Sequence, residues 1–201
     1  MIDKYDRKNY NTKLKDISNR MVETYNVMRQ ASENKFKASM KVGETFHPQS
    51  GFYYDEDRNL FKEQCNKLKD EAMKIVSEVT DRLAAQYTKA PTADAVNVVN
   101  LVNAIQSKDF INADTIDILL TRYGTDNPMV YNAIREKADS LGYRGEFKKH
   151  PIEREIEDVK NLEYQIGKNF YYREMEDSSS VVIQKSALEQ AIDSAFPCDS
   201  E

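Results

Sequence analysis

Two stretches decide the fold: residues 3–42, DKYDRKNYNTKLKDISNRMVETYNVMRQASENKFKASMKV, and residues 55–89, DEDRNLFKEQCNKLKDEAMKIVSEVTDRLAAQYTK. In the first, Leu14, Ile17, Met21, Met28, Ala31 and Ala38 recur at three- and four-residue steps or whole heptads. In the second, Phe61, Cys65, Leu68, Ala72, Ile75 and Val79 step by four and three without interruption. That is the period of a helix whose narrow apolar seam faces one partner helix. Neither helix is apolar enough on one side to be stable alone. The pair therefore predicts either a hairpin closed within the chain or a coiled-coil arm shared between chains.

Gly43 supplies a stop for the first helix, and Asp55 or Asp57 an N-cap for the second. Between them, residues 43–54 form a connector rich in aromatic side chains: Phe46, Phe52, Tyr53 and Tyr54. Either these rings fold back onto the helices they join, or they form a docking loop, since aromatic side chains are enriched at binding hot spots. The contact candidates are the seam residues Leu14, Ile17, Met21 and Met28, together with Phe46, Phe52, Tyr53 and Tyr54.

Downstream of the arm (residues 1–90), Ala90-Pro91-Thr92 ends the second helix, and the pattern changes to shorter, more β-branched segments. Residues 91–147 predict a compact three-helix unit. Its first helix places Val96, Val99, Val102 and Ile105 in contact positions. Its second is capped by Asn112 and stopped by Gly124. The third opens on Asn127-Pro128, keeps Val130, Ile134 and Leu141 inside, and stops at Gly142. Residues 148–201 predict an acidic helical segment that opens at Pro151. A Ser178-Ser179-Ser180 break then precedes Val181-Val182-Ile183, which reads as a strand-like patch or as the start of a last helix. The segment ends in a short acidic tail. With no Trp, six Gly and five Pro in 201 residues, the turn-formers of an all-β fold are missing. The class is all-α: a long helical hairpin or coiled-coil arm plus a small helical bundle.

Charge is uneven along the chain. Residues 1–90 carry 17 basic and 14 acidic side chains, whereas residues 148–201 carry 7 and 12. A basic arm and an acidic end can neutralise each other, within a chain or between copies, or address two partners. The two cysteines, Cys65 and Cys198, lack metal-ligand spacing and a disulfide framework, which predicts a reducing compartment and a cytoplasmic location. No apolar run reaches membrane-spanning length, and the first residues lack a signal-peptide pattern.

Chemistry-bearing motifs are few. His47 and His150 lie beside prolines in connectors, with no nucleophile or carboxylate at a telling spacing, and read as solvated loop residues. No Gly-rich phosphate loop is present. Glu153, Glu155, Glu157 and Asp158 crowd a helix start, where they compensate the dipole; without a histidine at i+3 or i+4 they do not read as metal ligands. The sequence thus predicts no enzyme, no cofactor and no metal. A helix-turn-helix around Gly124-Thr125-Asp126 is disfavoured because Asp126, Glu136 and Asp139 would meet phosphates.

The whole-chain architecture resembles accessory assembly and scaffolding proteins of tailed bacteriophages, which are small, Trp-poor, highly charged and dominated by extended helices. The resemblance is architectural and assigns no residue. It implies a homo-oligomer formed through the helical arm, contact with a coat or portal partner through one end, and a location in host cytoplasm or virion. The sequence-level function is therefore a non-enzymatic structural or assembly protein acting by self-association and protein contact. The alternative is a monomeric acidic adaptor or inhibitor of a basic protein target.

Overall fold

The computed structural model describes residues 2–88, 95–107, 113–123, 127–143, 150–170 and 177–198. Among the described residues there are seven helices and no strand: α1 (Lys4–Ser39), α2 (Asp55–Thr88), α3 (Ala95–Ser107), α4 (Ala113–Tyr123), α5 (Pro128–Ser140), α6 (Pro151–Asn169) and α7 (Ser178–Ala195). The chain divides into two units, one of Ile2–Val79 with Asp158–Glu201 and one of Thr80–Glu157. The all-α class is correct.

In the first unit, α1 and α2 form an antiparallel hairpin within one chain. Lys35 lies 3.7 Å from Glu56, Tyr25 packs on Phe61 at 5.3 Å, Arg20 grips Glu71 with two bonds of 2.8 and 3.0 Å, and the Tyr10 hydroxyl lies 3.5 Å from Glu78. As one helix ascends, the other descends. Exposed ion pairs such as Arg20–Glu71 contribute little energy, so their role is to mark register. The energy lies in the buried stripes.

Those stripes follow a period that differs from the expected heptad. In α1 the covered positions are Tyr10, Leu14, Ile17, Met21, Tyr25, Met28 and Ser32; in the part of α2 that belongs to this unit they are Phe61, Cys65, Leu68, Ala72, Val76 and Val79. Both run in steps of 4, 3, 4, 4 and 3, an eleven-residue repeat seen in Tyr10–Met21–Ser32 and in Phe61–Ala72 and Leu68–Val79. Eleven residues in three turns is about 3.67 per turn, close to the natural helix, so the stripes stay in line without the left-handed winding a strict heptad imposes. The expected Ile75 is only half-buried, and its neighbour Val76 takes the core position.

α7 packs against α1. The buried Asn11 amide donates to Asp193 Oδ1 and to the Phe196 carbonyl, each at 2.9 Å. Lys15 reaches the same carboxylate at 2.6 Å, and Phe196 lies against Tyr10 at 5.6 Å. The serine triplet does not break the chain but forms the first turn of α7. Asp177 accepts from the Ser180 N–H at 2.7 Å while Ser180 Oγ accepts from the Asp177 N–H at 3.0 Å, a reciprocal capping box. Val181 is buried, and Val182 and Ile183 are exposed on the same helix.

In the second unit, α5 is central. Ile105 of α3, Ile116 of α4 and Val130, Ala133, Ile134 and Ala138 of α5 form its core, with α3 and α4 each packed on α5. Asn127 caps α5 as expected, accepting from the Met129 and Val130 N–H groups at 2.9 and 3.4 Å. Gly142 takes the left-handed conformation at φ 65°, with the Tyr143 N–H on Ala138 O (3.0 Å) and the Gly142 N–H on Asp139 O (3.1 Å), the Schellman pattern. Leu141 caps this end and is exposed rather than inside, and Val99 is likewise 48% exposed rather than a contact residue. The Asn112 cap and the Gly124 stop lie outside the described residues.

Candidate functional site

The hairpin end splits the aromatic connector into an inner and an outer set. Phe52 is buried and completes a three-ring cluster with Tyr25 (5.4 Å) and Phe61 (5.5 Å). The Tyr25 hydroxyl donates to the Ser50 carbonyl at 2.7 Å, and the buried Ser32 accepts from the Tyr53 N–H at 3.1 Å. The Arg29 guanidinium holds the Gln49 carbonyl at 2.9 Å. α1 thus fastens the loop at three points, which gives a shape to a segment with no regular secondary structure.

Around this anchor the outer rings gather on Phe36. Tyr53 stacks on it at 4.7 Å, while Phe46 and Tyr54 tilt against it at 6.4 and 6.3 Å. All four rings are half-buried. Lys35 stands 4.5 Å above the Tyr54 ring and Lys37 4.3 Å above Phe46, within cation–π range. Each lysine also pairs with carboxylates, Lys35 with Glu56 and Asp57 and Lys37 with Glu33. Each ammonium group therefore has both a ring face and a carboxylate as partners. The result is a surface cluster of four large rings, two of them carrying a phenolic hydroxyl.

The seam candidates are placed differently. Leu14, Ile17 and Met21 are fully covered within the chain, and Met28 is half-buried on the same stripe. The structure brings Phe46, Tyr53 and Tyr54 together at the surface and takes Phe52 inside. Phe36 belongs to this surface and escaped the sequence reading as a site residue; its position ten residues before Phe46, on the last turns of α1, is the signal that points to it.

A second polar arrangement lies in the other unit, on the face of α5 turned away from its apolar core. Glu153 accepts from Arg135 at 3.3 Å and from the Tyr87 hydroxyl at 3.4 Å, and the Asn132 amide donates to the same hydroxyl. Burial, reinforced by the Glu153 carboxylate, pushes the Tyr87 hydroxyl above its ordinary value, and burial does the same for Tyr131. Both remain protonated at neutral pH, and Glu153 is neutralised by Arg135. The arrangement pins the last turns of α2 and the start of α6 to α5.

His150 belongs here and corrects the expectation of a solvated loop residue. It is 8% exposed, lies against the Tyr131 ring at 5.6 Å, and accepts from the Ile152 N–H through Nδ1 at 3.3 Å, as an N-cap does. His47 is exposed, as expected.

α5 has core contacts on one side and this polar set on the other, leaving Met129, Glu136, Asp139 and Ser140 outward. A recognition helix needs a free face lined with donors and cations, and this one offers two carboxylates. The turn before it lies outside the described residues. Among the described residues no group of three or more His, Cys, Asp or Glu side chains is arranged to hold a metal ion, and no helix is long and apolar enough to cross a membrane. No protein-family model, no curated protein sequence and no solved structure matches this chain.

Proposed function

We propose that this chain is a non-enzymatic structural or assembly protein that works by protein contact, and that its docking surface is the aromatic end of the α1–α2 hairpin. The observation that carries the reading is the ring cluster Phe36, Phe46, Tyr53 and Tyr54, half-buried and held by cation–π contacts with Lys35 and Lys37. Large rings with few rotatable bonds lose little entropy on binding and dominate interface energetics. Stability alone asks for less than this. The inner rings Tyr25, Phe52 and Phe61 already close the hairpin. The burial of Leu14, Ile17 and Met21 within one chain moves the contact away from the seam and toward this end. Under the resemblance to phage assembly proteins, the partner would be a coat or portal protein.

Affinity capture with the full chain, compared with a Phe46→Ser/Tyr54→Ser variant, tests the reading. The expected result is a defined partner retained by the native chain and lost at least tenfold by the variant, with unchanged helicity. An identical captured set for both proteins would overturn it. The adaptor reading predicts instead that capture depends on the acidic residues of α6 and α7 and is indifferent to the rings.

A further inference from the structure

We propose that His150 is a proton-operated catch on α6: with a neutral ring it holds the first turn of that helix to α5, and a second proton on the ring releases it. The catch lies in the Thr80–Glu157 unit, away from the ring cluster, and does not rest on the docking reading. His150 occupies the N-cap of α6, its carbonyl accepting from the Glu153 and Arg154 N–H groups at 2.9 and 3.2 Å. Its side chain caps as well. Nδ1 accepts from the Ile152 N–H at 3.3 Å, the bond that Ser, Thr, Asp or Asn commonly supplies at this position. Nε2 is buried with no hydrogen-bond partner among the described residues.

A neutral imidazole carries its proton on one nitrogen and a lone pair on the other. Because Nδ1 is the acceptor here, the proton sits on Nε2. The next proton has only Nδ1 to go to, and there it meets the Ile152 N–H, donor against donor. Imidazolium and the side-chain cap therefore exclude one another, which is not true of the four usual capping residues.

The surroundings do not offset the charge. From α5 comes the Tyr131 ring, 5.6 Å away, with Arg135 one turn further on. From α6 come Glu153, Arg154 and the positive end of the helix dipole. Arg135, Glu153 and Arg154 are the charges that act on the Tyr131 hydroxyl. The last turns of α2 add Tyr87, a neutral phenol joined to Glu153. Two guanidinium groups thus stand against one carboxylate, and that carboxylate already accepts from Arg135 and Tyr87. A buried ion without its own partner is costly, so a proton that enters displaces the cap.

What the catch holds is the first turn of α6, and Glu153 is on it. If that turn unwinds, its ties to Arg135 of α5 and to Tyr87 of α2 go with it. One proton thereby acts on a contact shared by three helices. The unfolded chain takes the proton freely and the folded unit takes it only by losing the cap. Stability therefore falls as pH drops through the histidine range, by up to about tenfold in the folded-to-unfolded ratio per pH unit.

Urea unfolding of the full chain between about pH 7 and pH 5.5 compares the native protein with His150→Asn, which keeps a capping oxygen and takes no charge. The native ratio should fall about tenfold over this window, and that of His150→Asn should stay within about twofold. His47→Asn, at the exposed histidine, should follow the native chain. NMR of the native chain provides a readout that needs no variant: the Ile152 amide signal should shift in step with protonation of the His150 ring. A native ratio that is flat across the window would overturn the proposal. So would a His150→Asn chain with the native pH dependence, or an Ile152 amide that stays in place while the ring takes up its proton. Partner capture by the rings is scored separately at neutral pH, so either reading can fail without the other.

Discussion

Replacing Phe61 by Ala and Phe46 by Ser separates the rings that close the hairpin from those proposed to dock. Phe61 is fully buried and contacts Tyr25 at 5.3 Å and Phe52 at 5.5 Å, so its removal opens a cavity between α1, α2 and the loop. Phe→Ala at such sites costs about 3–5 kcal/mol, including the cavity left behind. The two ring–ring contacts favour the upper half of that range, at roughly 0.5–1.5 kcal/mol per pair beyond area burial. For a chain of this length each kcal/mol lowers the unfolding midpoint by about 2–4 °C, which gives about 8–16 °C for a 4 kcal/mol loss. Phe46 is half-buried, with partners at 5.9 and 6.4 Å and one lysine above it. Its replacement should cost about 1–2 kcal/mol, since a half-exposed ring leaves no enclosed cavity and its three contacts sit at the weak end of their ranges. Thermal and urea unfolding followed by circular dichroism at about 222 nm measures both, the helix ladder being the signal. The reasoning fails if the two substitutions fall within 1 kcal/mol of each other, because the inner and outer rings would then share one role.

Three further outcomes are expected. Burial alone would raise the Asp193 carboxyl, but Lys15 and Asn11 outweigh it and hold the group below its ordinary value. The α1–α7 contact should therefore lose stability as pH falls through the carboxylate range, and the difference between native chain and Asp193→Asn should shrink on acidification; a constant difference from pH 7 to pH 3 would contradict this. Burial pushes the Cys65 thiol up to about 12, whereas Cys198 is exposed, so an aromatic disulfide reagent should titrate one thiol in the native protein and two after denaturation. Asn127→Ala should lower stability by about 1 kcal/mol through loss of the α5 cap, read as a lower urea midpoint at unchanged slope.

Much of the architecture is legible because helix period and caps are local. Asn127-Pro128 and Gly142 marked both ends of α5, since both signals act on backbone groups within a turn. The core register of α2 was less accessible. Ile75 and Val76 are adjacent and equally apolar, and only packing against a second helix selects Val76. His150 misled for a similar reason: a histidine beside proline fits a solvated connector and an N-cap alike, and the Tyr131 ring that buries it is distant in sequence. The signal for α7 was present, as an aspartate three residues before a serine, but the run of three serines suggested a break. At the hairpin end, composition marked Phe46, Phe52, Tyr53 and Tyr54 alike. What sends Phe52 inward is Tyr25 and Phe61, which approach from two different helices.

The shared eleven-residue repeat of α1 and α2 also limits how this protein can change length. Inserting one residue in either helix turns everything beyond it by about 100°, swinging the stripe out of the interface, whereas eleven residues restore the face after three turns. The segments Tyr10–Met21 and Phe61–Ala72 are one such increment on each side. The hairpin can therefore grow or shrink in matched quanta, one block in each helix, and every eleven-residue quantum carries the aromatic end outward or inward by about 16 Å along the hairpin axis. A lineage that needed this aromatic end at a different reach could obtain it by tandem duplication, with no change to the rings themselves.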